Sequence, residues 1–386
     1  MGGFFDPVKA RTPLDRHRIL SKTAGVRVSP LVLGAMSIGM TWAKTPFMSG
    51  GTNKEESFDL LDFFFKSGGN FIDTAGNYQD DESEIIIGEW MKARGNREEI
   101  VLATKFTSTH SFRGTDGVEI PINFGGNSKK SLRNGIETSL KKLQTNYVDI
   151  LYLHWWDWST SIEELMHSLH HLVMAGKVLY LGISDTPAWI VSSANAYARA
   201  HSLTPFSIYQ GKWNVLERDF DRDILPMCRH EGMAIAAWSV LARGRLRSVE
   251  QVAERIKERG PLRMGEQTEA EKKMSATLDE MGKKELNGAS IAQIAIAYIF
   301  AKYPFAFPIL GGTKIAQIKD NIKAIEIKLT DEQMKKIEDS APFDLGFPMN
   351  MIQTEPQLTG QTQNARLLGS SGEIDWVRSE RGPNNH

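Results

Sequence analysis

This sequence predicts an α/β fold in which eight parallel strands close into a (β/α)8 TIM barrel, and three observations carry that expectation. Short runs rich in β-branched and aromatic residues alternate with longer stretches of helical period. There are eight such runs: LVLGAM (31–36), NFIDTA (70–75), IVLATKF (100–106), VDILYLH (148–154), VLYLGIS (178–184), FSIYQGK (206–212), AIAAWSV (234–240) and FAFPILG (305–311). Most are nearly all apolar, as strands covered on both faces are, and eight is the number that closes a barrel. A doubly wound sheet is the competing architecture. It calls for a Gly-rich turn after the first strand, and LGAMSIGMTW does not match GxGxxG.

Between the strands, helices announce their starts. Ser161-Ile-Glu-Glu164 and Thr330-Asp-Glu-Gln333 have the form of capping boxes, and Thr186-Pro187 places proline at a first helical position. Three segments exceed the bare repeat. A polar, Gly-rich loop spans 107–127, a charged insertion with a helical EQVAERIKERG stretch spans 243–289, and a Pro-, Gly- and Gln-containing region follows 341. Long loops after barrel strands usually shape substrate pockets. One domain over 1–386 is expected, with the barrel core at about 27–340 and a C-terminal extension over 341–386.

Composition narrows the function classes. Hydrophobic residues at 41% and charged residues at 24% fit a chain that buries a sizeable core, and a formal charge of −1 argues against a general nucleic-acid binder. Cys228 is the single cysteine, so neither an internal disulfide nor a multi-thiolate metal site is expected. No Asn-x-Ser/Thr sequon, secretory h-region or membrane-length apolar run occurs. The expectation is a cytoplasmic protein with no membrane partner.

In a closed α/β barrel, functional side chains gather where strands end. Asp73, Lys105 and His154 end the second, third and fourth strands, and Tyr78 lies in the short loop after Asp73. An ammonium beside a phenol favours the phenolate and lowers its pKa, so Asp73 could hold Lys105 charged and aimed at Tyr78. His154 could then orient a carbonyl oxygen. Such a set moves a proton but holds no electron source, which points to a nicotinamide cofactor as hydride donor. Ser184, Asp185 and Gln210, late in the next strands, suit a carboxamide, and Trp238 suits the nicotinamide face. Trp155, Trp156 and Trp158 cluster beyond His154; core packing accounts for one or two of them. Trp155 is the candidate contact to an aromatic substrate.

Other signals fall away. His167, His170 and His171 share a helix but lack HExxH, and GGNSKKS is not a P-loop. No strand carries the His-x-His pair of a metal-dependent barrel hydrolase. No metal is expected.

At FIDTAGNYQDDESEIIIGEWM (71–91), LATKF (102–106) and ILYLHWWD (150–157), the sequence resembles the aldo-keto reductase superfamily. LGISDTPAWIV (181–191), AWSVLARGRL (237–246) and PFDLGFPMNM (342–351) look like its fungal aryl-alcohol dehydrogenase and norsolorinic acid reductase-like branch. The resemblance implies NADP(H)-dependent interconversion of aldehydes or ketones with alcohols, with Asp73, Tyr78, Lys105 and His154 as the tetrad. Asp73 then also borders the cofactor. The stretch from Ser239 to Val249, including Val240, Leu241, Arg243, Gly244 and Arg245, would follow the pyrophosphate. In the segment from Gly312 and Thr313 to Asn321, Lys314 and Gln317 would approach the adenosine 2′-phosphate and Asn321 the adenine. Two positions depart from the family pattern: many members have ser-asn where Ser184-Asp185 stands, and lysine where Gly311 stands. NADP preference therefore rests on Lys314, together with Arg243 or Arg245. The substrate implied by that resemblance is a small carbonyl compound or alcohol of aromatic type. A regulatory NADP(H)-binding module resembling potassium-channel β subunits is the alternative.

Overall fold

The computed structural model describes residues 8–43, 45, 50–109, 117–259, 265–352, 371, 372 and 376. The expected rhythm is present. Two strands, β1 (Arg18–Ser21) and β2 (Ala24–Val28), precede the eight of the barrel. Those are β3 (Val32–Gly34), β4 (Phe71–Asp73), β5 (Val101–Phe106), β6 (Val148–Leu153), β7 (Val178–Ser184), β8 (Phe206–Lys212), β9 (Ala234–Trp238) and β10 (Ala306–Leu310). β3 to β10 are all parallel, each beside its sequence neighbour, and β10 closes on β3. Several strands are a residue or more shorter than their apolar runs, because the chain turns into loops before the run ends. β3 stops at Gly34 rather than 36, and β4 at Asp73 rather than 75.

Between them stand α1 (Lys54–Lys66), α2 (Glu82–Arg94), α3 (Lys129–Lys142), α4 (Ile162–Met174), α5 (Ala188–Ala200) and α6 (Ile224–Glu231). Among the described residues, three α-helices separate β9 from β10: α7 (Val249–Arg259), α8 (Glu269–Lys284) and α9 (Ile291–Lys302). α10 (Ile315–Ile322) and α11 (Asp331–Ser340) follow. The Thr330 box forms with both hydrogen bonds, whereas Ser161 supplies only the side-chain cap to Glu164. Pro187 is the N-cap of α5, one position earlier than expected, with an extended ψ of 138°. The helical expectation at 250–260 is met by α7 as far as Arg259, while 260–264, 110–116 and most of 353–386 lie outside the described residues.

Strand parity sorts the side chains into two cores. Phe71, Val101, Ala103, Ile150, Tyr152, Ile208, Ala234, Ala236 and Phe307 fill the barrel interior. The alternate residues, among them Ile72, Leu102, Leu151, Leu153, Leu181 and Ile235, pack outward against the helices. The β1–β2 hairpin, which the sequence reading did not anticipate, adds Leu20, Ala24 and Val28 to the inner core. Its Arg18 donates to the Pro304 and Ala306 carbonyls at the start of β10, and the Ser29 amide donates to Asn70 at the start of β4. The hairpin therefore closes the end where strands begin, leaving the opposite rim for chemistry.

Candidate active site

Continuing each inward row one step past the apolar core reaches a polar side chain. Beyond Phe71 comes Asp73; beyond Val101 and Ala103, Lys105; beyond Ile150 and Tyr152, His154. The rows of β7, β8 and β9 end likewise in Ser184, Gln210 and Trp238. Period-two geometry thus carries distant residues to one rim.

Lys105 and Asp73 are buried, and the Lys105 ammonium donates to Asp73 Oδ2 at 2.7 Å and to the Thr74 carbonyl at 2.8 Å. It lies 3.3 Å from the Tyr78 hydroxyl. Gln210 donates to the other Asp73 oxygen at 2.9 Å, fixing the carboxylate from the far wall. The His154 ring stands edge-to-face with Tyr78, centroids 6.0 Å apart.

Tyr78 sits on a tight loop. Gln79, Asp80 and Asp81 all have positive φ (55°, 49° and 83°), a left-handed run costing about 1 kcal/mol or more per residue. Neighbouring segments hold it. Gln79 donates to the Met36 carbonyl and accepts from the Trp42 amide, Asp80 accepts from the Trp42 indole at 2.8 Å, and Glu82 receives the Met40 and Thr41 amides.

The electrostatics correct one expectation. Burial raises the Tyr78 phenol above its usual value, and the opposing pull of Lys105 does not outweigh it. Burial works against the Lys105 ammonium, yet Asp73 and Tyr78 outweigh it, so this group stays charged. Tyr78 therefore keeps its proton at neutral pH rather than being lowered toward it. Burial and the Lys105 charge push His154 down to about 3, so its ring is neutral.

The rest of the rim is polar. Trp238 donates its indole N–H to Asp185 at 3.2 Å, and the Arg243 guanidinium lies 5.9 Å from its ring centroid. Asp185 is open to solvent on one side, but its crowded surroundings push its carboxyl up to about 6. After β9 the chain takes positive φ at Ser239, Ala242, Arg243 and Gly244, and the buried Ser239 hydroxyl has no protein partner. Val240 and Leu241 lie inside that turn. Arg245 turns elsewhere: its guanidinium grips Glu271 and the Gly265 and Glu266 carbonyls, tying the insertion to the turn. Gly312 accepts from Ser37, the Thr313 amide meets Gln317 Oε1, Lys314 precedes α10, and Asn321 is buried in that helix.

Trp155 is partly exposed and donates its indole N–H to Ser108, which also contacts His154 Nδ1 at 3.2 Å. Trp156 packs against the outer core, and Trp158 is exposed. Sequence reasoning missed Trp42, edge-to-face with Tyr78 at 6.3 Å, and Ser108. Both lie in loops, where no periodicity aims a side chain. Among the described residues no group of His, Cys, Asp or Glu could hold a metal, and no helix is long and apolar enough to cross a membrane. Cys228 is buried in α6.

Sequence comparisons identify the family. The family model described as Aldo/keto reductase family matches residues 30–341. The chain is 52% identical to AAD14 of Saccharomyces cerevisiae, which carries a provisional aryl-alcohol dehydrogenase name, over 93% of this chain and 96% of that protein. It is 49% identical to the norsolorinic acid reductase of Aspergillus flavus, over 95% of this chain and 90% of that one. Identity is also 49% to the aryl-alcohol dehydrogenase [NADP(+)] of Phanerodontia chrysosporium, over 87% and 89% respectively. The chain belongs to the aldo/keto reductase family, oxidoreductases that use NADP(H).

Proposed function

We propose that this chain reduces aryl or polyketide aldehydes and ketones with NADPH, and runs in reverse as an alcohol dehydrogenase, with Tyr78 as general acid and base. The observation that carries the proposal is the Asp73–Lys105–Tyr78 chain, with contacts of 2.7 and 3.3 Å, at the barrel rim. The substrate class rests on the relatives' names and on the aromatic rim of Trp42 and Trp155.

The rim suits a dinucleotide. The unpartnered Ser239 hydroxyl and the left-handed turn after it form a polar cradle, suited to the pyrophosphate. Ser184, Asp185 and Gln210 would hold the carboxamide, and Trp238, fixed by Asp185, would face the nicotinamide ring. Lys314, Gln317 and Asn321 would take the adenosine end. The bound cofactor supplies the hydride.

The chain's own residues handle the proton and the orientation. Tyr78, still protonated at neutral pH, donates to the oxygen of the carbonyl as negative charge develops there. The ammonium of Lys105 then stabilises the phenolate left behind, and Asp73 keeps that ammonium in place. Ser108 accepts from the Trp155 indole and can give its own proton to His154 Nδ1. That arrangement puts the His154 proton on Nε2, free to donate to the same substrate oxygen. Trp155 thus acts through Ser108 as well as lining the pocket.

A reducing, cytoplasmic setting is part of this reading, supported by the single buried cysteine. A nicotinamide-binding regulatory module gains no support, since the relatives carry enzyme names. Steady-state assays with an aromatic aldehyde panel test the proposal: robust turnover with NADPH and much weaker turnover with NADH are expected. Tight NADPH binding without turnover on any aldehyde would overturn it.

A further inference from the structure

Behind the Tyr78 loop lies a buried cation that the proton chemistry does not use. Lys142 is the last residue of α3, and its side chain is 9% exposed. Its ammonium donates to the Gly76 carbonyl at 2.8 Å, two residues before Tyr78, and to Asp81 at 2.8 Å, three residues after it. A third contact, also 2.8 Å, reaches the fully buried Glu84. The other Glu84 oxygen accepts from the Thr104 hydroxyl at 2.5 Å, and Thr104 directly precedes Lys105 in β5. One ammonium therefore grips both ends of the loop that carries Tyr78 and, through Glu84, the strand that carries Lys105. The Gly76 amide adds a bond to the Lys105 carbonyl.

Local details agree. Asp81 is the N-cap of α2, yet it makes no side-chain cap bond there, because its carboxylate is directed to Lys142. Gly88, one turn beyond Glu84, is forced by the same contact: a Cβ there would fall 2.4 Å from the Lys142 carbonyl oxygen. α2 and the end of α3 meet closely enough to bury Lys142 and Glu84, with Asp81 at the edge of the cluster.

We infer that Lys142 is a positioning residue that sets the Tyr78–Lys105 distance, acting through Gly76, Asp81 and Glu84. The inference rests on reading Tyr78 as the acid and base. Without Lys142, two carboxylates face one another without their common cation, and the left-handed run at 79–81 loses its anchor on the α3 side. Tyr78 then withdraws from the ammonium that stabilises its phenolate.

The test compares Lys142→Met and Asp81→Asn with wild type and Tyr78→Phe. Asparagine keeps the shape and left-handed tolerance at 81 while removing one charge. Two readouts are used: the pH profile of alcohol oxidation, and hydrogen exchange of the backbone over 76–83 without cofactor. For Lys142→Met the rate is expected to fall about tenfold and the profile midpoint to move alkaline by about one pH unit, the size of losing a close charge partner. Exchange over 76–83 should speed up while more distant segments hold. Asp81→Asn should shift both in the same direction by less, and it decides the matter alone if Lys142→Met does not fold. A lowered rate with an unmoved midpoint, or unchanged exchange, would assign Lys142 a purely structural role and overturn the inference. If Tyr78→Phe is inactive while both variants match wild type, only the Lys142 inference fails. If Tyr78→Phe keeps the wild-type rate and profile, the reading of Tyr78 itself fails.

Discussion

His154 illustrates how one side chain couples the site to stability. Its imidazole is held down at about 3 by burial and the Lys105 charge, against 6.5 ordinarily. Above 6.5 folded and unfolded chains are both neutral there. As pH falls from 6.5 toward about 3, the unfolded chain takes up a proton that the folded chain refuses, so stability is lost through that window. Melting temperatures followed through it should fall less steeply in His154→Gln than in wild type; equal slopes would contradict the assignment. Asp185, pushed up to about 6 by its surroundings, gives a second pH signal. Below that value its carboxyl can donate as an asparagine would; above it, it only accepts. The ratio of NADPH dissociation constants between wild type and Asp185→Asn should therefore rise as pH passes about 6, measured by fluorescence titration. Asp73, Lys105 and His154 were legible in the sequence because strand parity alone aims them inward. Trp42, Ser108 and Lys142 were not: two lie in loops, and the third looks like any basic residue ending a helix.

Strands and helix caps were legible for the same reason, that their periodicities and box patterns are local. The β1–β2 hairpin was not, since its two short strands are separated by two polar residues, Lys22 and Thr23, with none of the Gly or Asn that marks tight hairpins. Its role as a plug appears only once the barrel exists to be plugged. Close approaches between elements were equally silent. A Cβ on Gly182 of β7 would fall 2.4 Å from the Tyr152 ring on neighbouring β6, just beneath the tetrad, and a Cβ on Gly88 would meet the α3 backbone. Gly88→Ala should cost about 1–3 kcal/mol of stability by overpacking, read by urea unfolding. Gly182→Ala should add lost activity to a similar cost, because the Tyr152 ring it displaces lies 5.9 Å from the Lys105 ammonium. Activity retained per folded molecule in Gly182→Ala would argue against that coupling.

At the scale of the molecule, the barrel is apolar and plugged at one end and polar at the other, and strand direction decides which is which. The β9 turn, held to the insertion by Arg245 and Glu271, and the start of α10 follow adjacent strands and frame one side of the rim, next to the loop after β3. A dinucleotide seated there stabilises the fold by mass action, about 2.7 kcal/mol at a hundredfold excess over its dissociation constant. The melting temperature should accordingly rise with NADPH and rise less with NADH. What most directly tests the whole account is single-turnover reduction of an aromatic aldehyde by Tyr78→Phe with NADPH bound. Loss of the phenolic proton should slow the step by about 100-fold or more while the NADPH dissociation constant stays within reach of wild type. A Tyr78→Phe enzyme that reduces the aldehyde at the wild-type rate would contradict it.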